Sequence, residues 1–343
     1  MTDSAIIYND VSATGGSMIK LACSGGSQYT MTPMRNIVQN NYLHDPLKNN
    51  QGGIGVTGHL NVVSHNYLEY TQIGMSEASE CIIEYNELKG GSRDTSDAGI
   101  IYGGGFYNFG NHIRYNYMHS WANPGKAIYF DDLACRNYAY YNLADTTGGE
   151  YRTVNMMYSS SGHYNVFFGN ICIGRATDYV GESCLYFDDS TSLGYRWPTH
   201  SNGFVTAFST KYNLGNLYKR FPEFEQYINM MNQHVEERAK SGYVRNELEI
   251  YLRSPAHNVY MNNLLLGVTE IRIPITGYKN SVTGKTMESL TLVKDNFTSK
   301  TIDLFMPDYL DRDYTIEASA LEEIKTVIPG FFMPDYNHAG LTR

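Results

Sequence analysis

The chain has 343 residues, 42% of them hydrophobic and only 18% charged, with a formal net charge of −9. That charge argues against a general polyanion binder and makes nucleic acid and anionic membrane surfaces poor partners. No apolar run approaches the ~20 residues of a membrane-spanning helix, and five scattered cysteines without a CxxC pair make neither a disulfide framework nor a short-spaced metal site.

In chain order, the residues near Ile6 already read as strand. The start, Met1-Thr2-Asp3-Ser4, has no basic and apolar leader, so no signal peptide is expected. A first coil of this kind needs a cover, and little nearby supplies one. Either an N-terminal region or another copy of the chain is expected there.

A short phrase then recurs: apolar, two variable residues, Asn, one residue, apolar. Its clear copies are Val38–Leu43, Val63–Leu68, Ile83–Leu88 and Ile113–Met118, and looser copies centre on Asn142, Asn170 and Asn263. The first six asparagines are 25, 20, 30, 26 and 28 residues apart. Units this short, with a local period of two, point to strands and turns stacked as a solenoid. The pattern predicts an all-β parallel β-helix with regular coils over residues 1–185. Asn tolerates the left-handed backbone of a tight turn and can hydrogen-bond in a ladder between coils.

Residues 186–256 break the repeat and predict an insertion. Phe224, Tyr227, Ile228, Met231, Val235 and Ala239 mark one face of a helix at about 221–241. Pro222 suits its first turn, and Gly242 can end it. Coil-like sequence resumes at His257-Asn258-Val259, so residues 257–343 are expected to hold the last coils and a C-terminal cap. Ile328-Pro329-Gly330-Phe331-Phe332 reads as a final strand.

Two segments stand apart from the repeat: Ser96-Asp97-Ala98-Gly99-Ile100-Ile101-Tyr102 and Ala127-Ile128-Tyr129-Phe130-Asp131-Asp132. They flank the Asn116 phrase, which predicts neighbouring coils ~4.8 Å apart. Asp97 with Asp131 or Asp132 would then lie within the separations used for glycoside hydrolysis. Tyr102 and Trp121 are candidate sugar platforms, His119 a candidate proton-transfer group, and Arg114 and Glu182 further candidate binding residues. The residues leave other roles open: Asp caps turns, and an Asp-Asp pair can hold calcium. A second such pair, Asp188-Asp189, weakens the case that the first is special. No required cofactor and no metal-ligand cluster is indicated.

These phrases, with Gly110–Asn116, Tyr218-Lys219-Arg220-Phe221-Pro222-Glu223-Phe224 and Ile328-Pro329-Gly330-Phe331, carry a resemblance. The chain resembles the right-handed parallel β-helix carbohydrate-active proteins of the glycoside hydrolase family 141 type. The resemblance implies a secreted or periplasmic enzyme acting on plant or microbial glycans, with fucosidase and xylanase activities known in the group. It implies that the acids of the Asp97 and Asp131-Asp132 phrases form the catalytic pair. Without a leader in the sequence, a cytoplasmic location is the alternative. Two other functions remain open on the same scaffold. One is a polysaccharide lyase, with Arg114 or Lys126 neutralising a uronate, and the other is a glycan-binding protein without catalysis.

Overall fold

The computed structural model describes residues 2–23, 31–47, 52–91, 97–105, 108–121, 125–132, 134–149, 154–160, 162–183, 214–242, 248, 251–252, 255–268, 270–273 and 290–342. The described strands form three parallel sheets of nine, nine and eight strands. In each sheet, neighbours are separated in sequence by one full coil. This is a right-handed parallel β-helix with a small helical insertion.

The described strands of the first and second sheets are each three residues long, so that only the central side chain of each points inward. The inward positions are Val63, Ile83, Ile113 and Ala139 in the first sheet and Leu68, Leu88, Met118 and Ala144 in the second, all fully buried. Mid-coil strands of the third sheet run to six or seven residues. They stack Ile54, Ile73, Ile101, Ile128 and Met157 in register. Each such apolar side chain contributes roughly 1.5–3 kcal/mol, and contacts only its own and adjacent coils.

The repeated Asn has a different role from the one its conformational tolerance suggests. The left-handed residue is the one before it: Tyr85 (φ 52°), Tyr115 (φ 54°) and Tyr141 (φ 55°) precede Asn86, Asn116 and Asn142. The Asn side chains point inward and are fully buried. Each Oδ1 accepts from the backbone N–H and the Nδ2 of the preceding coil's Asn. The chain of bonds runs from Asn9 through Asn41, Asn66, Asn86, Asn116, Asn142, Asn170 and Asn263 to Asn296. Outside this ladder, His65, Tyr85, Tyr115 and Tyr141 stack at ring separations of 5.1, 5.0 and 5.6 Å. Ring contact helps offset the cost of a non-glycine left-handed residue.

A second ladder lies five residues upstream, at the turn from the third sheet to the first. It contains Asn36, Asn61, Asn111, Asn137, Asn165 and Asn258. Cys81 occupies the remaining place, and its backbone N–H donates to Asn111 Oδ1 at 2.9 Å.

The insertion leaves the third sheet after Tyr179–Ser183 and returns before Val259–Met261. Its described helices are Leu214–Arg220 and Glu223–Arg238. Pro222 is the N-cap of the second helix, and the break beside it divides what the pattern predicted as one helix from 221. Leu217, Phe221, Phe224, Tyr227, Ile228 and Met231 pack against Phe109 and Cys135, in the turns that follow third-sheet strands. The far end of the predicted stripe differs: Val235 is half-buried, Ala239 is exposed, and His234 is the buried residue.

The C-terminal region also departs from expectation. The last described strand is Phe297–Ser299, and Ile328 follows the helix Ala318–Val327 instead of forming a strand. Ala320, Ile324, Ile328 and Phe331 cover the outer face of the second sheet at Tyr117, Leu143, Ile171 and Leu264. That face is apolar in the later coils and must be shielded from water. The tail then runs back along the turns. Tyr336 Oη donates to Tyr141 O (3.1 Å), Gly340 N to Tyr85 O (2.9 Å), and Thr342 N and Oγ1 to Asn40 Oδ1 (3.0 and 2.8 Å).

Candidate functional site on the third sheet

The outer face of the third sheet carries a row of tyrosines. Tyr102 pairs in register with Tyr129, and Tyr129 with Tyr158. The next position on one side is Gly74, and on the other Gly181. Ring centroids are 5.4 and 5.2 Å apart, at interplanar angles of 74° and 54°. The rings are therefore not stacked face against face, unlike those of the turn stack; Tyr102 and Tyr158 are half-buried and Tyr129 between them is 5% exposed. The sequence carried this row as a repeated apolar-apolar-Tyr triplet: Ile100-Ile101-Tyr102, Ala127-Ile128-Tyr129, Met156-Met157-Tyr158. Only Tyr102 was singled out from it.

Charged groups border the row at both ends of the strands. Asp131, at the end of Lys126–Asp131, accepts Tyr102 Oη at Oδ2 (2.9 Å) and the Asp132 backbone N–H at Oδ1 (2.8 Å). At the other end Lys126 Nζ lies 3.1 Å from Asp97 Oδ1 and 4.4 Å from the centre of the Tyr129 ring. Asp97 is 79% exposed and open to solvent. Burial, then the charges of Asp131, Asp132 and Asp97, push the Tyr102 phenol well above its usual range. The Tyr129 phenol rises for the same reasons, with burial first, then Asp131 and Asp97. Asp97, Tyr102, Asp131 and Asp132 therefore share one electrostatic neighbourhood.

The other predicted site residues lie elsewhere. Trp121 is 2% exposed in the main core and cannot serve as a sugar platform. His119 is 1% exposed on the second sheet, bonded to Glu87 and Ser120 and stacked on Tyr117. Arg114 is on the first sheet, paired with Glu84 at 2.7 Å, so it cannot neutralise a uronate on the third. Glu182 is 4% exposed and accepts Asn258 Nδ2 and Thr291 Oγ1. Burial, only partly offset by these bonds, pushes its carboxyl up to about 7. Trp121, His119 and Arg114 lie between the two acidic segments in sequence, but a β-helix sends residues a few places apart to different faces; Glu182 stands out only as an acid near a strand end. Asp188-Asp189 lies outside the described residues.

Among the described residues, no group of three or more His, Cys, Asp and Glu side chains is placed to hold a metal ion. No described helix is long and apolar enough to cross a membrane.

No protein-family model, curated protein or solved structure matches the chain.

Proposed function

We propose that this protein is a glycoside hydrolase whose active face is the outer surface of the third sheet. The observation that carries the reading is the hydrogen bond from the Tyr102 hydroxyl to Asp131 on an aromatic face that Asp132 borders at the same end and Asp97 at the other. The half-buried rings of Tyr102 and Tyr158, on either side of the buried Tyr129, offer apolar surface to pyranose rings, and carboxylates at the margins supply acid–base chemistry. Water is added across a glycosidic bond. One carboxyl gives a proton to the departing oxygen, while the other takes a proton from water or attacks the anomeric carbon. The resemblance to glycoside hydrolase family 141 names Asp97 with Asp131 or Asp132 as the pair.

A second reading is favoured by the contacts the acids already make: Asp131 with Tyr102 and a backbone amide, Asp97 with Lys126. Acids so engaged suit a surface that binds glycans without cleaving them. A lyase is the weaker alternative, because Arg114 is on another face and Lys126 is paired with an acid.

Reducing-end release from a panel of neutral glycans tests the proposal, with Asp97→Asn, Asp131→Asn and Asp132→Asn as controls. Loss of ~100-fold or more in two of the three is expected. Undiminished activity in all three overturns the assignment, and binding without turnover by the unaltered chain establishes the second reading.

A further inference from the structure

The sequence makes Tyr102 a candidate sugar platform, but its surroundings suit another task. Its hydroxyl crosses to the next coil to reach Asp131 Oδ2 at 2.9 Å. To do so the ring passes over Gly104, which is the register partner of Asp131. A Cβ at Gly104 would sit 2.7 Å from Tyr102 Oη and 3.0 Å from Cζ. The next coil back presents Gly74, which has no side chain, opposite Tyr102. Asp131 is held from two directions, because its second oxygen takes the N–H of Asp132, a left-handed residue with φ 44°.

We infer that Tyr102 is a positioning residue that orients the Asp131 carboxylate across the coil boundary, and that Gly104 is the gap it needs. This rests on the hydrolase reading for its kinetic consequence, but the contact itself is testable without activity. The groups facing the pair are Tyr129, Asp132, Asp97 and Lys126, so two carboxylates and one ammonium surround it. A platform needs the ring; a positioning residue needs the hydroxyl. The two roles therefore separate on removal of one oxygen atom.

Tyr102→Phe keeps the ring and removes the bond. The expected result is kcat down about tenfold or more with KM within about twofold, since small misplacement of a reacting group is costly. Gly104→Ala, which drives the ring off its seat, is expected to produce the same loss. In the double variant the loss should not deepen, because both changes act through one hydroxyl. Full kcat in Tyr102→Phe, with KM raised only in Tyr102→Ala, overturns the inference and restores the platform. If the unaltered protein cleaves no glycan, the hydrolase reading falls while the contact is still decided by NMR. The Tyr102 hydroxyl proton is expected as a slowly exchanging signal in the unaltered protein and absent in Asp131→Ala. No such signal, or one that survives Asp131→Ala, overturns the inference.

Discussion

Replacing Asn116 by alanine should cost far more than its small size suggests. Its Nδ2 donates to Ile83 O, Arg114 O and Asn142 Oδ1 at 2.9, 3.0 and 2.9 Å, and its Oδ1 accepts Asn86 N and Nδ2 at 3.0 and 2.9 Å. The two Nδ2 hydrogens are shared among three acceptors, so the fully buried side chain makes the equivalent of four full bonds. A typical bond is worth about 1 kcal/mol net, and a buried N–H left without an acceptor costs ~1–3 kcal/mol. Asn86 N is stranded in the variant, which puts the total at about 3–6 kcal/mol. Asn9, the first Asn of the same ladder, makes two side-chain donations near solvent among the described residues, to Ile7 O and Asn41 Oδ1. Asn9→Ala should therefore cost under about 1 kcal/mol. Urea denaturation followed by far-UV circular dichroism measures both. A loss below about 1 kcal/mol in Asn116→Ala, or equal losses at the two sites, would refute the view that the buried ladder contributes to stability.

Cys81→Asn should stabilise the chain by about 1–3 kcal/mol, by completing the second ladder between Asn61 and Asn111; a fall in the urea midpoint would contradict this. Glu182 supplies a pH dependence. Its carboxyl is raised from 4.5 to about 7, so the folded state holds the proton more tightly. Its contribution is most favourable below pH ~4.5 and is lost as pH rises through about 7, by ~3 kcal/mol. Glu182→Gln should flatten stability between pH 5 and 8, and an unchanged slope would assign that dependence to other groups.

The architecture was legible because solenoid coils repeat one rule: apolar inward, Asn at the turn, next coil above. Phrases such as Ile83–Leu88 and Ile113–Met118 carry that rule without help from distant sequence. The upstream ladder was equally written, as Asn five residues before Asn, but Cys81 interrupts it and the eye settles on the stronger phrase. The site was only partly legible. Asp97, Tyr102 and Asp131 were found because they share an unusual segment type on adjacent coils. Trp121, His119 and Arg114 were grouped with them by closeness in sequence, and the two turns between sheets point each to a different surface. Glu182 was misread because a carboxylate at a strand end looks exposed until the chain 76 residues later supplies Asn258 as its partner. The final strand expected at Ile328-Pro329-Gly330-Phe331-Phe332 was misread because its apolar residues answer to an outer face built by four separate coils.

The returning tail changes what kind of object this solenoid is. A stack of coils held only by adjacent contacts can fray from either end, one coil at a time. Here Thr342 bonds Asn40 across 302 residues, with anchors at Tyr85 and Tyr141 between. An early coil thus shares its fate with a residue 302 positions later. The tail acts as a spine along the column, so loosening one end is felt at the other and the assembly tends toward a single cooperative unit.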